Sequence, residues 1–151
     1  MSDPLNARKI GTQNAGVDAG PACAGGSGLS LDDYQARTAE TAVYPGRGTA
    51  LGLIYCGLKL AGEAGEVAEK IGKALRDDGL QPVVRDGEPG WTDLRPERRE
   101  ALKAELGDVL WYVASAAREL GYDLADVART NLDKLADRKA RGALHGSGDD
   151  R

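Results

Sequence analysis

The longest apolar periodicity in the chain runs from about Thr49 to Arg76 and repeats at the spacing of an α-helix. Apolar or aromatic side chains that recur every three or four positions indicate one face of a helix. The recurring positions are Leu51, Ile54, Tyr55, Leu58, Val67, Ile71 and Leu75. The spacing predicts a single long helix in the middle of the fold.

Three other segments carry helix start and stop signals: a serine followed three positions later by an acid, a proline suited to a first helical turn, an aspartate cap, and terminal glycines. They predict helices from Ser30 to before Pro45, from Pro96 to Gly121 and from Asp123 to Gly142. Residues 77–95 carry prolines and glycines without a clean period, which predicts a long loop insert, often a functional feature. No strand pattern of useful length occurs. The predicted fold class is all-α, a four-helix bundle.

The two ends of the chain have a different composition from the middle. Residues 1–29 are rich in Gly, Ala, Asn and Ser with almost no large apolar side chains, so little there offsets the entropy of ordering. We predict a flexible N-terminal tail at 1–29, one domain at 30–142 and a polar C-terminal tail at 143–151. The 151 residues suffice for a single core.

Charge and composition exclude several partners. A net charge of −4 argues against a nucleic acid polymer as the main partner. No apolar run approaches the roughly 20 residues that cross a bilayer, and the N-terminus lacks a signal-peptide pattern, so no membrane partner is expected. Cys23 and Cys56 form no ligand-spaced pair. We expect free thiols and a cytoplasmic location.

Two short stretches, "GEAGEVAEK" and "ELGDVLWYV", each contain two carboxylates three positions apart. Residues at this spacing lie on one helix face, so Glu63 pairs with Glu66 and Glu105 with Asp108. The plain alternative is a solvated face held by lysines four positions on, and part of the sequence supports it: Glu66 precedes Lys70, and Glu69 precedes Lys73. The second pair has no basic residue four positions away on either side.

If four carboxylates face one another across two helices, the repulsion between their negative charges must be offset. At about 5 Å and an effective dielectric near 20, each close pair repels by about 3 kcal/mol. Bound cations remove that cost, and carboxylate oxygens suit Mg²⁺, with Mn²⁺ as a substitute. A di-iron bundle requires histidines beside its glutamates, and zinc requires a Cys/His cluster, but the one histidine is His145 in the tail.

Glycines lie beside or within both acid pairs, at Gly62, Gly65 and Gly107, although each costs about 1 kcal/mol relative to alanine inside a helix. Two interpretations remain open. Glycine allows a ligand to approach the backbone, or it allows tight packing of a neighbouring helix. Both interpretations place the two helices face to face.

The two ordered acid pairs resemble the Glu-x-x-Glu and Glu-x-x-Asp signature of the MazG-like all-α nucleoside triphosphate pyrophosphohydrolases. This superfamily also includes dimeric dUTPases and phosphoribosyl-ATP pyrophosphohydrolase. The resemblance covers roughly residues 51–141 and includes the helix "NLDKLADRKARG". It implies Mg²⁺-dependent hydrolysis of a nucleoside triphosphate, by attack of water at the α-phosphorus, to the monophosphate and pyrophosphate. It also implies a homodimer or homotetramer, in which association completes the bundle.

The resemblance assigns roles residue by residue. Glu63, Glu66, Glu105 and Asp108 fall on the metal ligands, and Glu63 and Glu66 are the better candidates for the catalytic base. Many relatives carry an acid where this chain has Gly62, and the connection between the acid pairs is longer here, which leaves open the number of metals and the identity of the base.

Other candidate residues lie outside the acid pairs. In the last helix, Asn131, Lys134 and Arg138 share a stripe and match family positions that reach substrate phosphates, although a solvated basic face is the alternative. Trp91, in the polar insert, is a candidate for stacking on a base or for anchoring the loop. Three aromatic residues that follow apolar helix positions are assigned to the core: Tyr55, Trp111 and Tyr112.

Two other functions remain open from the sequence. The first is a catalytically silent helical module that uses the acidic face to hold a cation or a partner. The second is a pyrophosphohydrolase for another metabolite, such as phosphoribosyl-ATP.

Overall fold

The computed structural model describes residues 28–143. Within that range the chain forms four α-helices, a short 3₁₀ helix and one β-hairpin. In order these are α1 (Leu31–Thr38), the 3₁₀ helix (Ala39–Thr41), α2 (Ala50–Asp77), β1 (Pro82–Arg85), β2 (Glu88–Trp91), α3 (Pro96–Glu119) and α4 (Leu124–Ala140). The all-α class is confirmed. The predicted tails lie outside the described residues except for 28, 29 and 143, and Cys23 lies outside them as well.

Helices α2 and α3 pack against each other as an antiparallel pair. Asp78, just after α2, binds Arg98 near the start of α3, whereas Glu119 at the end of α3 lies against Gly52 near the start of α2. Glutamates and lysines from the middle of the two helices therefore meet halfway along the pair.

No helix within residues 28–143 combines the length and the hydropathy needed to cross a bilayer.

The predicted helix boundaries rest on local chemistry that the structure shows directly. The Ser30 hydroxyl accepts a hydrogen bond from the backbone N–H of Asp33 at 3.0 Å and so caps α1. Pro96 occupies the first turn of α3, and Gly121, with φ of 78°, follows its end.

The first residues of α4 are capped by another helix. Asp123 is the residue before α4, as predicted, but its side chain makes no capping hydrogen bond. Instead, Gln35 of α1 accepts from the N–H of Leu124 at 2.9 Å, and Asp32 accepts from the N–H of Ala125 at 3.2 Å. Helix α1 therefore fixes where α4 begins.

The core is small and mostly aromatic. Tyr44 is 8% exposed, stacks on Tyr55 and meets the edge of Trp111, which in turn meets the edge of Tyr112. The Tyr44 hydroxyl donates to Glu119 at 2.6 Å, and burial together with this bond raises the Tyr44 pKa. Much of what packs around these rings is small, including Ala42 and Cys56, and Cys56 is a free thiol as expected.

The prediction that residues 77–95 form a loop without strands was wrong. Pro82–Arg85 and Glu88–Trp91 pair as an antiparallel hairpin. Asp86 and Gly87, with φ of 54° and 84°, occupy the turn between them. Asp-Gly between two extended segments favours a two-residue hairpin turn, and the prolines in both strands hid that pattern.

The first helix is also shorter than predicted. It ends at Thr38, and the 3₁₀ helix ends at Thr41, rather than continuing to Pro45. The Thr38 hydroxyl donates to the carbonyl of Gln35 at 2.8 Å and the Thr41 hydroxyl donates to the carbonyl of Thr38 at 3.2 Å. The chain then continues without helix to Tyr44, which enters the core.

The apolar residues that predicted α2 mostly face away from α3. The face of α2 that packs on α3 is marked by its buried residues, Gly52, Cys56, Glu63 and Ala74. The opposite face, called here the α2 outer face, exposes Leu51, Ile54, Leu58 and Leu75 by between 49% and 72%. The chain therefore leaves a second apolar surface on its longest helix.

Candidate metal and nucleotide site

Three of the four predicted acids come together between α2 and α3. Glu63, Glu105 and Asp108 each offer a carboxylate oxygen, and these oxygens lie within 4.8 Å of one another. Glu63 is 8% exposed and Glu105 is 9% exposed, whereas Asp108 is open to solvent. We call these three residues the acid cluster.

The spacing along the helices explains the cluster. Glu63 lies seven residues after the buried Cys56, two helical turns along the same face of α2, so it points at α3. Glu105 and Asp108 lie three positions apart on α3 and face back toward it.

Glu66 lies outside the acid cluster. It is exposed, and its carboxylate is not among the three that converge. Three residues advance a helix by 300°, so Glu66 is rotated by about 60° from the direction in which Glu63 points. Its assignment as a metal ligand and catalytic residue stays a prediction.

Lysines from α2 hold two of the clustered acids. The Lys59 ammonium lies 3.0 Å from Glu63 Oε1, and the Lys70 ammonium lies 2.8 Å from Glu105 Oε1. The bonds to these glutamates raise the pKa of both lysines. No basic residue lies four positions from Glu105 on its own helix, and its cation comes from the facing helix instead.

The other ion pairs on α2 follow the sequence less closely. The solvated-face alternative pairs Lys70 with Glu66, but the Lys70 ammonium turns toward α3 and pairs with Glu105. The pair between Lys73 and Glu69, at 2.6 Å, is confirmed.

A cavity of about 520 Å³ opens beside the acid cluster. Glu63 and Asp108 form part of its wall, and aromatic rings form most of the rest: Tyr44, Tyr55, Trp111 and Tyr112, with Thr41, Val43 and Pro45. The indole N–H of Trp111 donates to the Thr41 hydroxyl at 2.9 Å, which fixes the ring. Cavities of this size with aromatic walls and a few polar groups suit small organic ligands.

The aromatic residues assigned to the core have two roles. Tyr55, Trp111 and Tyr112 are half-buried, pack against the core and also line the cavity. Sequence reasoning missed Tyr44 and Thr41 as cavity residues. Because Tyr44 directly precedes Pro45, the sequence predicts that it ends the first helix rather than that it lines a cavity.

The remaining predicted residues do not line this cavity. Trp91 ends strand β2 opposite Pro82 and is 59% exposed. Asn131 and Lys134 are exposed on α4, and Arg138 on the same stripe is partly buried. The roles of these four residues stay predictions.

The glycines are not at the contact between α2 and α3. A Cβ built at Gly62, Gly65 or Gly107 meets no atom within 4 Å, and all three positions are exposed. Close packing against another helix of residues 28–143, one of the two interpretations of these glycines, is therefore wrong. Open backbone remains at these points for a ligand or another chain.

The residues present fit a divalent metal. Three carboxylates supply hard oxygen donors, and no histidine or cysteine belongs to this cluster among residues 28–143. That donor set is typical of Mg²⁺ and Mn²⁺ sites rather than of zinc sites.

The fold and the cluster define a class, that of all-α proteins with a carboxylate site between two antiparallel helices. Within that class the chain belongs to the MazG nucleotide pyrophosphohydrolase domain family, which it matches over residues 56–142. The resemblance expected from the acid pairs is confirmed. The chain is also 44% identical over 126 residues to the Gene 37 protein of Mycobacterium phage L5, an alignment that covers 82% of this chain and 100% of that protein. That name states no activity.

Proposed function

We propose that this chain hydrolyses nucleoside triphosphates to monophosphates and pyrophosphate, with Mg²⁺ or Mn²⁺ bound at the acid cluster. The observation that carries the proposal is the shared wall: Glu63 and Asp108 belong both to the cluster and to the aromatic cavity. A ligand with an aromatic end and an anionic, metal-binding end fits this arrangement. Membership of a nucleotide pyrophosphohydrolase family supports the same ligand class.

Glu63, Glu105 and Asp108 are the proposed metal ligands, and Glu66 is proposed as a fourth. A bound divalent metal supplies Lewis acidity and charge neutralisation at the phosphates. A carboxylate of this site accepts the proton of the attacking water, with Glu63 and Glu66 as the candidates. The low exposure of Glu63 excludes bulk water around its carboxylate and favours a defined proton acceptor.

The aromatic cavity is the proposed base site. Tyr112 lies about one helical turn from Asp108, and Tyr55 lies a little over two turns from Glu63, so a base held among these rings leaves its phosphates beside the cluster. Stacking on an aromatic ring is available to every nucleobase. The exposed Trp91 has no comparable position beside the acids.

The stripe of Asn131, Lys134 and Arg138 on α4 is proposed to contact substrate phosphates. Asn131 and Lys134 reach solvent without rearrangement of the fold. The side-chain amide of Asn131 and the two cationic groups can donate hydrogen bonds to phosphate oxygens. A cytoplasmic location, where this substrate class is plentiful, is part of the proposal.

One observation favours the silent-module alternative. The two lysine pairs already compensate Glu63 and Glu105, so the cluster does not require a metal in order to be stable. Turnover distinguishes the two functions.

The experiment is a pyrophosphate-release assay over canonical and modified nucleoside triphosphates and phosphoribosyl-ATP, with Mg²⁺ and with EDTA. We expect release from at least one nucleoside triphosphate, restored by Mg²⁺ or Mn²⁺ and abolished by EDTA. Release from phosphoribosyl-ATP alone identifies the metabolite enzyme. No release from any compound identifies the silent module and refutes the proposal.

The chain is also proposed to associate with copies of itself, as a homodimer or homotetramer. The α2 outer face exposes Ile54 by 57% and Leu58 by 72%, one turn apart on a helix that already buries its other face. Helices that are apolar on both sides are normally covered on both sides. A second copy supplies an identical surface, as a two-fold interface requires.

Replacing both Ile54 and Leu58 with aspartate is expected to convert the oligomer to a folded monomer, because paired charges oppose each other across the two-fold axis. Sedimentation velocity measures the mass, and circular dichroism checks the fold. Val84→Asp is the matched control, since Val84 is 73% exposed but lies on the hairpin. A monomeric wild-type chain contradicts the proposal.

A further inference from the structure

Each end of the acid cluster carries a lysine from the same helix. Lys59 lies 3.0 Å from Glu63 Oε1 and its ammonium is 5.7 Å from the centre of the Tyr112 ring, which lines the aromatic cavity. Lys70 lies 2.8 Å from Glu105 Oε1, and Glu105 does not line that cavity. The two lysines are eleven residues apart, which places them about 16 Å from each other along α2.

The exposures within these pairs are unequal. The carboxylate side chains are each 11% exposed, whereas the side chains of Lys59 and Lys70 are 42% and 29% exposed. The acids are therefore held by the fold, and the ammonium groups stand on flexible stems with access to water. In such a pair the cation is the exchangeable member.

A divalent cation at the cluster binds the same carboxylate groups, Glu63 and Glu105, that the lysines now pair with. Glu63 Oε1 and Glu105 Oε1 each face an ammonium group at hydrogen-bonding distance. The two kinds of cation therefore compete for the same two carboxylate charges. A displaced Lys70 ammonium group still has Glu66 and Glu69 close by on α2, and bound phosphates add a further, more highly charged anion for either lysine.

We propose that Lys59 and Lys70 are exchangeable counter-ions, which hold the acids in the metal-free protein and transfer to the substrate's phosphates when a metal takes their place. The proposal rests on the proposed function and adds to it the orientation of the nucleotide along α2. The base end lies at Lys59, beside the cavity, and the β- and γ-phosphates extend toward Lys70. Lys70 then neutralises the pyrophosphate that leaves, and Lys59 contacts the end of the substrate that becomes the monophosphate.

The first test measures metal binding with no nucleotide present. Lys70→Met keeps the apolar stem and removes the competing charge, so the affinity for Mn²⁺ alone is expected to rise about three- to tenfold. Titration calorimetry or the electron paramagnetic resonance of free Mn²⁺ gives the value. Lys73→Met is the matched control, because Lys73 lies three residues further on α2 and pairs with Glu69 outside the cluster. It should leave the affinity unchanged.

The second test measures inhibition of turnover by the two products. In Lys70→Met, pyrophosphate should inhibit about tenfold more weakly while inhibition by the monophosphate is unchanged. In Lys59→Met the pattern should reverse. Lys70→Arg restores pyrophosphate inhibition, which a purely structural loss does not predict. If Lys70→Met does not fold, the milder Lys70→Gln variant and Lys59→Met are used for both tests.

Unchanged Mn²⁺ affinity in folded Lys70→Met overturns the exchange. Equal weakening of both products by both variants overturns the orientation. A wild-type protein that binds Mn²⁺ but hydrolyses no nucleotide contradicts the proposed function instead, and the Mn²⁺ affinity of Lys70→Met then decides the exchange by itself.

Discussion

Glu105→Gln is expected to lower kcat/KM for the preferred nucleotide by about 10²- to 10³-fold, one of the largest effects expected of a single change in this chain. Glutamine keeps the shape of the side chain but removes the charge that makes a strong ligand for a hard cation. Metal catalysis contributes several kcal/mol to a phosphate reaction, and each 1.4 kcal/mol corresponds to tenfold in rate. The same argument predicts similar losses for Glu63→Gln and Asp108→Asn.

Thermal melting gives a readout that does not depend on turnover. A metal that binds only the folded chain stabilises it, by about 2.7 kcal/mol at a concentration one hundred times its dissociation constant. Mg²⁺ should therefore raise the Tm of the wild-type chain and should raise that of Glu105→Gln much less. If Glu105→Gln retains both its turnover and its metal-dependent Tm, the acid cluster is not the metal site.

Glu69→Gln is the matched control for charge removal on α2. Glu69 is exposed, pairs with Lys73 at 2.6 Å and lies outside the cluster, so its variant should behave as wild type. Glu66→Gln decides the remaining assignment. A drop of about tenfold or more supports Glu66 as a fourth ligand or as the base. Unchanged turnover restricts the site to the three converging acids.

The sequence predicted those parts of the fold that depend on neighbouring residues. Ser30 bonds a backbone N–H three positions away, and Pro96 suits its position because of its own ring. The pairing of Glu105 with Asp108 in the cluster is also local, since residues three positions apart on a helix point within about 60° of each other. Local chemistry of this kind requires no knowledge of which helices meet.

The sequence could not predict how α2 is rotated against α3. The large apolar residues of α2 suggest that the face with Ile54 and Leu58 is buried, but the buried face carries the small residues Cys56 and Ala74 instead. That rotation directs Glu63 into the cluster and leaves Glu66 in solvent. The identity of the lysine that holds Glu105 depends on the same rotation.

The sequence also could not predict contacts between segments that are far apart along the chain. Tyr44 and Glu119 are 75 residues apart, and no local sequence pattern near either residue predicts their hydrogen bond. The cavity wall depends on this bond, because Tyr44 is one of its aromatic residues. The spacing of the acids and the family resemblance together predicted the acid pairs and their roles, but neither predicted the position of the rings or of the hairpin.

The buried Gly52 leaves the space that this bond needs. A Cβ at that position would lie 2.6 Å from the carbonyl oxygen of Gly46 and 2.8 Å from Glu119 Oε2. Glu119 accepts from the Tyr44 hydroxyl at 2.6 Å and from the N–H of Gly48 at 2.7 Å. An added methyl group therefore displaces the carboxylate from both of its donors.

Gly52→Ala is expected to reduce the free energy of unfolding by about 2–4 kcal/mol, from overpacking and the loss of hydrogen bonds to a charged group. This loss exceeds the gain of about 1 kcal/mol that alanine normally gives inside a helix. Gly57→Ala, five residues along α2, is the matched control, because its Cβ meets no atom within 4 Å and only the gain applies. Urea denaturation compares the two. Equal stability of the variants means that Glu119 moves aside without cost, and the cavity then does not require its bond to Tyr44.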